Sequence, residues 1–248
     1  MMKFGTENKT FRGDAEILLH ALKNKEHFAF TKSADGEMSI MQGNNIDLLN
    51  KCNGEFKFDV SDETDKFYRD KLIEAYQYKD ENYFISVGCP CCVGQNNYQW
   101  MKQFSNQELT NMTWANIFVN GNYKFYVDNF IPEYKNHKLI VVCNNKAKLE
   151  NLFGDELVKD FRVGRNAWKD NYGLIEEIKK YINDNDINDH LFLIGAGPFG
   201  NILIYELFKH NKNNTYLDIG STLDPILGLG GTRGYHVGAP TLNKICKW

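Results

Sequence analysis

The sequence has no apolar run close to the ~18 residues that suggest a membrane-crossing helix. Its opening, MMKFGTENKT, holds no apolar stretch of the kind found in a secretory leader. No membrane span is expected, and the reading is of a cytoplasmic protein. Prolines number only five, and no Pro- or Ser-rich linker, internal repeat or low-complexity tract divides the chain, so its 248 residues are expected to fold as one domain. Six cysteines at irregular spacings are too few for a secreted disulfide framework, and reduced thiols follow as the default. A basic field is also missing. The formal net charge is −3 and the Lys and Arg residues are interleaved with acids, which argues against a nucleic-acid partner.

What is present is an alternation of helical and strand-like segments. Ala15, Leu18, Leu19 and Leu22 fall at helical spacing behind Asp14, a candidate cap, and HFAFTK then reads as a strand entering the turn SADGE. Tyr68, Leu72, Ala75 and Tyr76 repeat the helical spacing before the strand YFISVG, and Ser105 with Glu108 has the form of a capping box. KLIVVC, FRVG, HLFLIGAG and TYLDIG supply further strands, separated by helices carrying Ile175, Ile178 and Ile182 and then Phe199, Ile202 and Leu203. Short apolar strands without polar alternation, each followed by a helix-length segment, are the signature of a parallel sheet buried on both faces. The expected fold is α/β: a Rossmann-like, mostly parallel sheet of about six strands with helices on both sides.

In such sheets ligands sit beyond the carboxyl ends of the strands, which singles out a few segments. Asp35-Gly36-Glu37 follows the first strand; two carboxylates across a glycine form a D-x-E pattern able to approach one hard cation, although an acidic surface turn has the same look. Gly195-Ala196-Gly197-Pro198-Phe199-Gly200 fits the G-x-G-x-x-G pattern of a dinucleotide loop, with Asp218 further on at the end of the next strand. Only 48 residues follow Gly200, too few for the rest of a dinucleotide domain; a plain tight turn with Pro198 at the first helical position is the bland alternative, and the reading preferred is a turn that brings backbone amides near a phosphate or ribose. The glycine-rich stretch TYLDIGSTLDPILGLGGTRGYH gathers Asp218, Asp224, Arg233 and His236. Its D-x-G core is shared with S-adenosylmethionine loops, but Ser221 stands where those carry a second glycine. Cys89 and Cys92 make a C-x-x-C; with no second such pair or paired histidines nearby, an incidental loop is expected there. His20, His27, His137, His190 and His210 need only surface or packing roles.

Taken in order, FAFTK with ADGE, WANIFVNGNY, RVGRNAW, GAGPFGNIL and DIGSTLDP…TRGYH resemble the glycosyltransferases of the GT-D fold, over nearly the whole chain. The resemblance implies a metal-dependent transferase that moves a sugar from a nucleotide-diphosphate sugar, a UDP-sugar foremost, to an acceptor hydroxyl on a glycan. Asp35 and Glu37 match the residues that hold the cation, Mn²⁺ or Mg²⁺. Family members often carry Arg and Gly ahead of D-G-E, where this chain has Lys32 and Ala34; Lys32 keeps the charge without the bidentate fork. Lys32, Arg165, Asn166, Gly195, Gly197 and Arg233 are the donor-binding candidates. Asp218 and Asp224, with His236 third, are the candidates for general base. Trp114, Tyr123 and Tyr235 offer rings to a base or sugar, with core packing as the competing role. Two other classes stay open: a nicotinamide- or S-adenosylmethionine-dependent enzyme, and a module that binds a nucleotide-sugar without turnover.

Overall fold

The computed structural model describes residues 2–4, 11–49 and 56–238. In chain order its principal elements are α1 (Phe11–Lys23), β1 (Ala29–Thr31), α2 (Asp35–Met41), β2 (Ile46–Asp47), β3 (Lys57–Phe58), α3 (Glu63–Gln77), β4 (Tyr83–Val87), α4 (Pro90–Val93), α5 (Gln95–Ser105), β5 (Met112–Trp114), α6 (Tyr123–Tyr134), β6 (Lys138–Asn144), β7 (Leu157–Val163), α7 (Ala167–Asp170), α8 (Leu174–Asp184), β8 (His190–Ile194), α9 (Pro198–His210) and β9 (Thr215–Asp218). Seven strands form one sheet in the order β5-β4-β1-β9-β8-β6-β7, and every neighbouring pair is parallel. The expected parallel α/β architecture is present with one strand more than the six anticipated. The extra strand, β5, is a three-residue edge strand whose Met-Thr-Trp sequence carries no apolar run to announce it. β2 and β3 form a separate antiparallel pair.

Side chains on a strand alternate between faces, and here the alternation divides the core in two. Tyr83, Ile85, Ile140, Val142, Phe192, Ile194 and Tyr216 pack on one face with α3, α8 and α9. Phe30, Phe84, Leu139, Val141, Leu191, Leu193 and Leu217 pack on the other with α1 and α6. β4, β8 and β9 are buried along their full length, which is why their sequences lack the polar-apolar alternation of a half-exposed strand. α9 is buried at ten of its thirteen positions and lies against β1, β9, α3 and α8.

Two local expectations are corrected. Helix α1 starts before Asp14, so this residue lies within the first turn; its buried carboxylate accepts from the Thr113 hydroxyl and ties the helix to β5. Ser105 ends α5 instead of opening a helix: Asn106 takes a left-handed conformation at φ 53° and the Gln107 amide donates to Ser105 Oγ at 3.3 Å. The expected histidine roles fit the contacts, as with His27 against Asp189 at 2.9 Å and His210 against Asn183 at 2.9 Å. Among the described residues no helix is long and apolar enough to cross a membrane.

Candidate functional site

Strands β1, β4 and β5 progress outward in one direction, whereas β6, β7 and β8 fill the other half before β9 returns beside β1. The order changes between β1 and β9, and a doubly wound sheet leaves its ligand crevice outside the carboxyl ends at such a point. Lys32, Asp35, Glu37 and Asp218 all leave the sheet there.

Asp218, the last residue of β9, is buried. Its Oδ2 accepts from the Lys32 amide at 3.1 Å and its Oδ1 from the Gly220 amide at 2.8 Å, so one carboxylate joins the two strand exits. Burial pushes its pKa up to about 6, against the nearby Lys32 charge and the two amide hydrogen bonds. Beneath it lies a buried polar chain that the sequence did not disclose. The Ser33 amide donates to Ser86 Oγ at 2.9 Å, and Asn201, from α9, donates through Nδ2 to the Lys32 carbonyl at 3.0 Å while its Oδ1 accepts from Ser33 Oγ at 3.5 Å. The available signal was an asparagine in the apolar first half of α9, between Phe199 and Ile202, where an unpaired amide would cost ~1–3 kcal/mol.

The D-x-E segment is not the expected turn: Asp35 opens α2, and Glu37 is its third residue. Ala34 has no oxygen with which to cap the helix, but Glu37 reaches back and accepts from the Ala34 amide through Oε2 at 2.9 Å. Part of the Glu37 side chain meets solvent, yet protein atoms enclose its carboxylate. Burial raises its pKa to about 7, and the negative charges of Asp218 and Asp35 add to the rise while the Ala34 and Glu37 amides oppose it. Three acids therefore share one electrostatic environment at the carboxyl ends of β1 and β9. Asp35 is exposed. These all-oxygen donors suit Mg²⁺ or Mn²⁺, although no oxygens from all three lie within 4.8 Å of one another. That spread fits a cation held by one or two carboxylates, with water and ligand phosphate completing its shell.

The glycine of D-G-E has a packing reason as well. A Cβ added at Gly36 would stand 3.1 Å from the Phe56 ring, on the segment entering β3. The β2–β3 pair is held from the far side by RVGRNAW: Arg165 donates to the Leu49 carbonyl at 2.7 Å, Asn166 Oδ1 accepts from the Lys57 amide at 3.3 Å, and Trp168 Nε1 donates to the Lys57 carbonyl at 3.3 Å. The Phe56 and Trp168 rings meet edge to face at 6.2 Å. Arg165 and Asn166 thus adjoin the D-x-E helix through an intervening flap, and the contacts they make there are structural.

Gly195 and Gly197 shape the exit of β8. At Gly195 a Cβ would come within 2.7 Å of the Gly220 carbonyl oxygen, so the first glycine of GAGPFG permits two strand-exit loops to touch. Gly197 stands at φ 57°, ψ −145° as the residue before α9, with Pro198 at the first helical position, as the plain-turn alternative has it. Gly200 lets α9 sit close to β8, where a Cβ would be 3.3 Å from Ile194 Cγ2.

Asp224, Arg233 and His236 form a second group in the folded tail after β9. Asp224 Oδ2 accepts from Thr232 Oγ1 at 2.6 Å, His236 Nδ1 accepts from the Arg233 amide at 3.2 Å, and Arg233 donates to the Thr232 carbonyl at 3.2 Å. Burial lowers the His236 pKa. Tyr235 meets Ser221 Oγ at 3.1 Å, and its ring packs 4.9 Å from Tyr123, whose hydroxyl donates to the Thr222 carbonyl at 2.9 Å. Tyr123 and Tyr235 thus clasp the tail to α6, while Trp114 stacks on Tyr98 at 5.6 Å. All three rings have protein partners, in keeping with packing.

No family model matches the chain, and no curated protein sequence does. Solved structures do. One described as "The highly conserved domain of unknown function 1792 has a distinct glycosyltransferase fold" is similar over 91% of this chain and 81% of its own, with a TM-score of 0.57 at 15% identity. Another, described as "A New Glycosyltransferase (DUF1792) from Streptococcus sanguinis", is similar over 90% of this chain and 82% of its own, with a TM-score of 0.56 at 17% identity. The chain has this glycosyltransferase fold. At such identities the likeness is one of architecture, and the chemistry has to be argued from the residues.

Proposed function

We propose that this protein is a glycosyltransferase that binds a nucleotide-diphosphate sugar with a divalent cation and passes the sugar to an acceptor hydroxyl, in glycan synthesis. The observation that carries the reading is the grouping of Asp35, Glu37 and Asp218 with Lys32 at the carboxyl ends of β1 and β9, on a fold shared with structures described as glycosyltransferases. Asp35 and Glu37 would hold Mn²⁺ or Mg²⁺, which when bound supplies Lewis-acid stabilisation of the departing diphosphate. Lys32 adds a charge-assisted hydrogen bond to the phosphates. Asp218 is the favoured general base: two backbone amides fix its orientation, and each oxygen keeps a lone pair for the acceptor proton. Asp224 and His236 are engaged in the tail's own hydrogen bonds and serve to shape that segment.

A dinucleotide or S-adenosylmethionine enzyme is less well supported, since the first glycine of GAGPFG is filled by the Gly220 carbonyl instead of opening toward a ligand. The test is thermal stabilisation by a panel of nucleotide-diphosphate sugars with and without Mn²⁺, followed by a transfer assay with the donor found. Manganese-dependent stabilisation by one donor class is expected. Saturable binding of NAD or S-adenosylmethionine instead of any sugar donor would overturn the reading.

A further inference from the structure

Cys89 and the short helix α4 that follows it lie at the same carboxyl edge, one strand from β1, and carry three cysteines in four residues. The sequence counts only two of them as a C-x-x-C, but the fold brings in the third. Cys89, Cys91 and Cys92 are, among the described residues, the one set of three or more His, Cys, Asp or Glu whose ligand atoms all lie within 4.8 Å of one another. Cys89 Sγ and Cys91 Sγ are 2.9 Å apart. We propose that these three sulfurs form a binding site for a single thiophilic divalent cation, zinc in the first instance.

Three arguments support this. With metal–sulfur bonds of ~2.3 Å, tetrahedral geometry places two thiolate sulfurs about 3.8 Å apart, a value inside the observed spread, so side-chain rotation suffices to close the site. The backbone is already fixed: the Cys92 and Val93 amides donate to the Cys89 carbonyl at 2.9 and 3.0 Å, and the Gly94 amide donates to the Pro90 carbonyl at 3.0 Å. The Asn116 side chain approaches Cys92 Sγ at 3.5 Å, a donor of the kind that supports a metal-bound thiolate. Burial grades across the site, with Cys89 enclosed and Cys91 and Cys92 exposed. A cation therefore has an entry path, and a water from solvent completes four-coordination.

The chemistry separates this site from the carboxylates. Soft thiolates select zinc, whereas the oxygen donors of Asp35 and Glu37 select magnesium or manganese. Binding replaces three S–H bonds by three metal–sulfur bonds and releases three protons to solvent; no electron moves. The proposal is independent of sugar transfer, and the two fail separately.

The full-length protein, reduced and freed of metal by a chelator, is titrated with Co²⁺ as a spectroscopic stand-in. The expected result is one equivalent bound with the intense visible bands of a tetrahedral thiolate complex, bleached by one equivalent of Zn²⁺. Zn²⁺ added to lightly buffered protein near neutral pH should release about three protons per cation. C91S/C92S changes only exposed side chains and should abolish both signals, whereas Asp35→Asn should leave them intact. A cobalt spectrum that stays octahedral in the wild type overturns the proposal, as does loss of two titratable thiols to a Cys89–Cys92 disulfide without metal uptake. Signals that persist in C91S/C92S overturn it too. If that variant does not fold, the wild-type proton count and spectrum decide alone.

Discussion

Asp218 at the strand exits and Asp224 in the tail are held in different ways. At the β1–β9 exit, Asp218 is enclosed and fixed by two backbone amides, and the chain below it is satisfied through Ser33, Ser86 and Asn201. In the tail, Asp224 is part-exposed and bonded to a neighbouring hydroxyl of its own loop. The first arrangement joins three segments distant in sequence, β1, α9 and β9, whereas the second closes a local turn. A group that must hold its position within a fraction of an ångström is better served by rigid elements than by loop contacts. The difference makes the strand exits the first place to test for chemistry, and the tail, packed on α6 through Tyr123, the control.

The comparison breaks first, if at all, in turnover. Asp218→Asn should lower transfer by ~10²- to 10⁴-fold, the usual contribution of a positioned base, in a steady-state assay with a true acceptor. The same variant faces an amide donor with its new NH₂ group, so a stability loss of about 1–3 kcal/mol is expected in denaturant unfolding. Next in size is donor binding. Asp35→Asn and Glu37→Gln should each remove the manganese-dependent part of nucleotide-sugar affinity, read by calorimetry with and without metal, while the fold persists. Unchanged affinity in both would move the cation elsewhere.

The strand-exit packing gives a test without substrate. Gly195→Ala puts a methyl group 2.7 Å from a backbone oxygen that has little room to retreat, so a loss of ~1–3 kcal/mol is expected. Gly200→Ala meets only the Ile194 side chain at 3.3 Å and should cost less. Equal losses would mean that the Gly195–Gly220 approach is easily relaxed.

A smaller effect appears with pH. Glu37 and Asp218 have folded pKa values raised by burial to about 7 and about 6, so between pH ~4 and ~7 the folded protein keeps protons that the unfolded chain has released. Their contribution to stability is therefore full below the unfolded values and is lost as pH rises through the folded ones. The slope of metal-free unfolding free energy against pH in that window should flatten in Glu37→Gln, whereas added Mn²⁺, which needs the ionised carboxylates, should stabilise most above pH 7. Asp62 acts in the opposite sense at lower pH: its bond to Lys169, helped by backbone amides, holds it down to about 2, and that stability disappears as pH falls from ~4.

Much of this was legible in the sequence, for identifiable reasons. The parallel sheet shows because β4, β8 and β9 are buried on both faces and so carry no polar-apolar alternation. β5 was hidden because an edge strand of three residues has too little pattern. Asp35 and Asp218 could be picked out because they follow strands, but their proximity depends on β9 returning to lie beside β1, a pairing that no local pattern encodes. Asn201, Ser33 and Ser86 looked like ordinary polar residues until the fold buried them together. The flap over Gly36 was similarly out of reach, since it joins Phe56 to Trp168 across more than a hundred residues.

The smallest expected effect is in the tail, and it tests the comparison from the other side. Asp224→Asn keeps an oxygen to accept from Thr232, and the residue is part-exposed, so the net loss should stay below ~1 kcal/mol. Its carboxylate charge adds to the burial that raises the pKa of Tyr123 and Tyr235, so its loss removes a repulsion toward the phenolate forms and breaks no attraction. If the tail only packs against the rest of the fold, donor affinity and turnover should each change less than about tenfold. The measurement is turnover at saturating donor, with affinity determined separately. A loss matching that of Asp218→Asn would place the base on the tail, and the two backbone amides on Asp218 would then be read as a staple between strands with no part in proton transfer.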